Sequence, residues 1–107
     1  MCLCSQVLAE LFAVVTDHRR VSQPRTPAEA TAAIEFMLSR PGMILLPTPG
    51  GTVTRWLDLA RREPVTGGGI FDVQLVATML ENGVRRIYTF NRSDFVRFIE
   101  LDVVTPA

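Results

Sequence analysis

Three carboxylates in this chain of 107 residues sit in surroundings unlike those of ordinary surface charges: Glu10, Asp72 and Asp94, the last with the amide Asn91 close before it. Glu10 lies three residues after Val7 and four before Val14, so its neighbours on that side of a helix are apolar. A carboxylate there either sits at the edge of the apolar stripe and reaches water, or points inward. Pointing inward requires a metal, an arginine or a proton to offset the several kcal/mol that burying an unpaired charge costs. Asp72 stands before an apolar helical segment, where an aspartate commonly caps free N–H groups. The preceding Thr66-Gly67-Gly68-Gly69-Ile70 could turn backbone N–H groups toward a phosphate. Without a following Lys-Ser or Lys-Thr, however, it is not a P-loop and reads first as a flexible connection. Asn91-Arg92-Ser93-Asp94-Phe95 follows a strand-like segment, beyond the carboxyl end where open parallel sheets carry ligands. Asn91 or Ser93 could equally cap a short helix, with Asp94 favoured in its first turn by the helix dipole. Taken singly, each position has a structural explanation.

The elements that must position these groups are legible from periodicity. Val7, Leu8, Leu11, Phe12, Val14 and Val15 recur at helical spacing, which predicts a helix over about residues 3–16. Thr26-Pro27-Ala28-Glu29 combines an N-cap threonine, a proline in the first turn and a glutamate three residues after the cap, which together form a capping box. The helix it opens should bury Ala30, Ala33, Ile34, Met37 and Leu38 and stop at Arg40-Pro41-Gly42. Met43-Ile44-Leu45-Leu46 reads as a buried strand. Val53, Trp56, Leu57 and Ala60 predict a third helix, and Val73, Val76, Ala77 and Leu80 a fourth, starting at Asp72 and stopped by Asn82-Gly83. Residues 85–90 should form a strand, 94–99 a short helix and 102–104 a last strand. Strands alternating with helices over short connections give an α/β fold with a parallel sheet flanked by helices.

Composition bounds the rest. A chain of 107 residues with 48% hydrophobic content builds one modest core. Its apolar runs, broken by Glu10, Asp17 and Pro47, fall short of the roughly 20 residues a membrane-spanning helix needs. Met1-Cys2-Leu3-Cys4 has no basic segment ahead of an apolar one, so it does not read as a signal peptide. A cytoplasmic protein with no membrane partner is the expectation. Cys2 and Cys4 are too close to bridge readily and lack a completing metal-ligand set, so both read as small apolar residues. With 11 acidic and 11 basic residues, nucleic-acid contact must come from a local patch. All the basic residues are arginine, which suits bidentate phosphate recognition and equally follows from a GC-rich genome.

Three segments form a series. The first is Val7-Leu8-Ala9-Glu10-Leu11 continued by Phe12-Ala13-Val14-Val15-Thr16-Asp17. The second is Asp72-Val73-Gln74-Leu75-Val76-Ala77 running to Asn82-Gly83, and the third is Thr89-Phe90-Asn91-Arg92-Ser93-Asp94-Phe95. This series resembles the PIN-domain nucleases found as toxins in VapBC-type toxin–antitoxin pairs, most specifically from Asp72 to Pro106. The resemblance implies a three-layer α/β fold and hydrolysis of RNA phosphodiesters by water, with one or two Mg²⁺ or Mn²⁺ ions held by carboxylates. Hard divalent cations take oxygen ligands, lower the pKa of bound water and offset charge on the phosphate. By position, Glu10 and Asp72 would bind the metal or its water, and Asn91 and Asp94 would complete the cluster, their order of approach left open. Glu10, Asp72 and Asp94 would thus be the catalytic carboxylates. Asn91 is neutral, which weakens the electrostatic hold if a ligand belongs there. Arg92 would contact a phosphate, or is simply a solvated arginine.

The family also begins with a strand that ends in an aspartate and lies in the middle of the sheet, whereas this sequence starts almost directly at the glutamate-bearing helix. The expectation is therefore a single partial PIN domain over residues 1–107 without its first strand, with unpaired strand edges as a consequence. The resemblance implies RNA as substrate, a cognate antitoxin as partner and a homodimer. A different class of reading is a non-catalytic remnant that binds an antitoxin or dimerises through apolar helix faces. A third is a plain α/β domain whose three carboxylates have only structural roles.

Overall fold

The chain, seen in a computed structural model that describes residues 1–106, divides into two compact units, Met1–Pro47 and a second from Thr48 onward. In the first, β1 (Cys2–Cys4) leads without a break into α1 (Ser5–Val15), followed by α2 (Pro27–Ser39) and β2 (Ile44–Leu46). The second contains α3 (Thr52–Arg62), α4 (Gly69–Glu81), β3 (Arg86–Tyr88), α5 (Arg92–Phe95) and β4 (Asp102–Val104). The strands are parallel, as the alternating pattern requires, but they form two two-stranded sheets: β1 with β2 and β3 with β4.

β1 is an element that periodicity does not reveal. The helix expected from Leu3 begins at Ser5, because residues 2–4 pair with β2 in the register Cys2↔Ile44, Leu3↔Leu45 and Cys4↔Leu46. Cys4 is buried, whereas Cys2 is exposed, so only one of the two behaves as a core residue. Thr16 closes α1 by donating its hydroxyl to the Phe12 carbonyl at 2.8 Å. α2 opens on the expected capping box: the Glu29 N–H donates to Thr26 Oγ1 at 3.1 Å and the Thr26 N–H to Glu29 Oε1 at 3.0 Å. Of its expected inner face, Ala30 is buried, Ile34, Met37 and Leu38 are half-buried, and Ala33 is exposed. β2 is not the buried strand its apolar residues predict: Ile44 and Leu45 are 55% and 50% exposed. A ribbon of two strands with a single neighbour buries little of either face.

The second unit is organised around α4. Val73, Val76 and Ala77 are completely buried, Leu80 packs beside them, and Leu59, Phe95 and Phe98 close the cluster. The face predicted for α4 is therefore the observed one. Its C-terminus is a Schellman motif: the Val84 N–H donates to the Met79 carbonyl at 2.9 Å and the Gly83 N–H to the Leu80 carbonyl at 3.0 Å. Gly83 sits at φ +71°, where a side chain is strained, which accounts for Asn82-Gly83 as the stop. α3 is rotated from its expected setting. Trp56 and Ala60 pack on the core, but Val53 and Leu57 face outward and Thr52 and Leu59 are buried instead.

α3 is held in this setting by ions as well as by its apolar face. Arg55 donates from Nε and Nη2 to Glu81 Oε2 of α4, at 3.0 and 2.8 Å. Arg62 forms a two-bond fork with the Glu100 carboxylate ahead of β4, at 2.8 and 2.7 Å. Phe98 is 1% exposed, so Phe98→Ala should lower the unfolding free energy by about 3–5 kcal/mol. Urea titration checks this, and a loss below about 1 kcal/mol would place the core elsewhere.

Candidate functional site

Asp72 does not cap α4. The helix begins at Gly69 with Gly68 as its N-cap, which puts Asp72 inside the first turn, half-buried, where the positive end of the helix dipole favours a carboxylate. The helix starts early because the glycine segment folds into it. The N–H groups of Gly69, Ile70 and Phe71 donate to the carbonyls of Thr66, Gly67 and Gly68, at 3.2, 3.3 and 3.1 Å. Those amides are consumed by the turn, so the segment is not a phosphate cradle of the kind three glycines in a row suggest.

Asn91, Arg92 and Asp94 lie just past the carboxyl end of β3, as the sequence places them. The backbone stays paired beyond the strand: the Thr89 N–H donates to the Val104 carbonyl at 3.0 Å, and the Asn91 N–H to Thr89 Oγ1 at 3.0 Å. Asn91 is the N-cap residue of α5, yet its side chain makes no capping bond, and the Asp94 N–H bonds the Asn91 carbonyl at 3.1 Å instead. The two side chains are therefore carried on one short turn, both exposed to solvent. Arg92 donates from Nη1 to the Val103 carbonyl at 3.2 Å and is also exposed. Glu10 belongs to the first unit, on α1. It is exposed and accepts a long bond of 3.4 Å from Gln6 Nε2 one turn back, in keeping with a position at the edge of the apolar stripe.

Carboxylate and amide oxygens are the donor types that a hard divalent cation takes. The arrangement is another matter: among the described residues, no three His, Cys, Asp or Glu side chains gather into a group able to hold a metal ion. The described donors therefore do not make a cation site by themselves.

Two grooves are lined by other residues. One in the second unit, about 540 Å³, runs along α3 and is lined by Thr54, Arg55, Asp58, Arg62, Glu81 and Glu100. Its charges are paired: Arg55 with Glu81, Arg62 with Glu100, and Arg61 beside it with Asp58 at 2.8 Å. Sequence reasoning missed these residues because partners 26 and 38 positions apart leave no local signature. The other groove, about 280 Å³, lies between α1 and α2 of the first unit. It is apolar, floored by Leu11, Val15, Ala30 and Ile34 with Arg25 and Glu29 at its rim.

No protein-family model matches the chain, and no curated protein matches it in sequence. Among solved structures, the chain is similar to one in the crystal structure of VapBC2 from Rickettsia felis bound to a DNA fragment from their promoter. The TM-score is 0.66 and the identity 18%, with 97% of this chain and 73% of that chain covered. At that identity the likeness establishes the fold: an α/β arrangement with short parallel strands, similar to that of a VapBC structure. No helix among the described residues is long and apolar enough to cross a membrane.

The Arg62–Glu100 fork yields a pH expectation. Hydrogen bonding to Arg62 holds the Glu100 carboxyl below the ordinary glutamate range. Between that depressed value and the ordinary one, the unfolded chain binds more protons than the folded chain. The pair's contribution is thus present above the ordinary glutamate pKa and is lost as pH falls through the folded value. The guanidinium is 41% exposed, so the effect is small, under about 1 kcal/mol. In urea unfolding at a series of pH values from 7 downward, Arg62→Gln should cost most stability at pH 7 and progressively less as pH falls below the ordinary glutamate range.

Proposed function

We propose that this chain is the nuclease-type member of a toxin–antitoxin pair, a PIN-like three-layer α/β protein that cuts RNA with the help of Mg²⁺ or Mn²⁺. The observation that carries the reading is the placement of Asn91, Arg92 and Asp94 immediately beyond the carboxyl end of a parallel strand. Ligands of open parallel sheets bind at that end, and the chain follows the fold of one in a VapBC complex over 97% of its length. On this reading Glu10, Asp72 and Asp94 would each have a catalytic role, and Asn91 would offer an oxygen donor toward a cation. A divalent cation, were it bound, would lower the pKa of its water and offset charge on the phosphate. Arg92 contributes a fixed positive charge for the phosphodiester, its guanidinium already oriented by the Val103 carbonyl. Asp72 lies in the first turn of α4, where the positive end of the helix dipole favours a carboxylate. A cognate antitoxin and a second copy of the chain are the protein partners of this reading.

A second reading is favoured by a specific observation. The described acidic side chains do not gather in threes, while the groove between α1 and α2 is open and apolar. That combination suits a PIN-like protein that binds an antitoxin or dimerises without cutting RNA.

The deciding experiment is cleavage of a mixed RNA substrate by the purified chain in Mg²⁺ and in Mn²⁺, with EDTA and Asp72→Asn as controls. The nuclease reading expects metal-dependent cleavage that falls by roughly 10- to 100-fold or more in Asp72→Asn. A folded chain that cuts nothing under either metal would withdraw it in favour of the binding reading.

A further inference from the structure

We propose that β3 and the turn after it form a stacking surface for single-stranded nucleic acid, with the rings of Tyr88 and Phe90 as its platform and Arg86 and Arg92 at its ends. Arg86 and Tyr88 are alternate residues of β3 and share one side, Phe90 follows at the bend beyond the strand, and Arg92 opens α5. Burial follows the same alternation. Ile87 and Thr89 are half-buried, with Ile87 packed against the core, while Arg86, Tyr88, Phe90 and Arg92 are exposed. The rings are not on a loose loop. Tyr88 is paired with Val104, the Thr89 N–H bonds the Val104 carbonyl, and the Arg92 side chain bonds the Val103 carbonyl, so the chain is tied to β4 on both sides of Phe90.

Tyr88 is 67% and Phe90 85% exposed. Two large aromatic faces left in water, one at the end of β3 and one at the bend after it, are a surface in search of a flat partner. The flanking charges decide which kind. An interface core between proteins is depleted of charge, whereas aromatics interleaved with arginine are what single strands use, bases stacking on rings while guanidinium groups meet phosphates. Residues two apart in an extended chain lie roughly 6–7 Å apart, a spacing that suits successive bases turned out of a regular stack better than the edge of a duplex. One feature opposes binding and makes the idea testable. Asp102, opposite Arg86 in the register, holds the Arg86 guanidinium at 2.7 Å and places a negative charge beside the strip. Removing that charge should strengthen binding, which a merely structural role for the strand would not do.

The surface does not rest on the nuclease reading, and binding is measured so that the two fail separately. Fluorescence anisotropy of a labelled 12-nucleotide oligouridylate with the full chain, in EDTA and at low salt, reads binding without cleavage. A duplex RNA of the same length is the comparison, and circular dichroism checks the fold of each variant. Single strand should bind more tightly than duplex, and Tyr88→Ala and Phe90→Ala should each weaken it by about tenfold or more. Arg92→Ala should flatten the salt dependence by about 0.7 in the log–log slope, and Asp102→Asn should tighten binding and steepen that slope. A preference for duplex, no binding by the unaltered chain, or unchanged affinity in folded Phe90→Ala would overturn the proposal. So would a self-associated chain, seen by sedimentation, that Phe90→Ala dissociates while oligonucleotide binding stays constant, because the rings would then belong to a protein interface.

Discussion

The second unit depends on one constraint: the inner side of α4 must be dry. Val73, Val76 and Ala77 have no exposed surface, and Leu59 from α3 with Phe95 and Phe98 from α5 and the turn after it keep them so. Burying such side chains stabilises the fold by roughly 1.5–3 kcal/mol for each large one, and close packing leaves few ways to fill the same volume. The rest of the unit follows from that demand. α3 lies where Leu59 and Trp56 reach the cluster, α5 where Phe95 does, and β3 and β4 where Ile87 and Val103 do. Asp72 is carried on the buried helix, and Asn91 and Asp94 are carried on the turn that Phe95 anchors, so the polar positions inherit their places from apolar ones.

Ion pairs refine this arrangement without creating it. Glu81 sits between Arg55 and the backbone of Gly51, where any side chain at position 51 would meet Glu81 Oε1. Glycine at the start of α3 therefore lets the last turn of α4 come close, and Arg55 gives that carboxylate a partner. Arg62 and Glu100 join the other end of α3 to the approach to β4. Such part-exposed pairs contribute modestly to stability, but a two-bond fork restricts rotation. The outcome is an α3 that shows Val53 and Leu57 to solvent although its apolar spacing alone would bury them.

The same economy of backbone groups separates what resembles a ligand site from what can be one. The N–H groups of Gly69, Ile70 and Phe71 at the start of α4 are spent on the helix's own turns. The turn after β3 differs: its backbone is tied down by bonds to Thr89 and Val104, while the side chains of Asn91, Arg92 and Asp94 remain exposed to solvent. A held backbone with outward polar side chains is the arrangement that ligand recognition at a strand's carboxyl end requires.

Local rules were enough for several features that the sequence determined unaided. The capping box at Thr26, the stop at Asn82-Gly83, the apolar spacing along α4 and the polar turn from Asn91 to Asp94 all rest on groups within a few residues of one another. Other features waited for the tertiary structure because their partners lie far along the chain. Cys2-Leu3-Cys4 has too few residues to show a period and is a strand only because Ile44-Leu45-Leu46 pairs with it. The start of α4 at Gly69 rather than Asp72, the division of the strands into two pairs and the paired charges along α3 are likewise products of non-local contact. The exposure of Tyr88 and Phe90 belongs with them. Residue type marks both as core candidates, and only the packing of Ile87 on the opposite side decides that they face water.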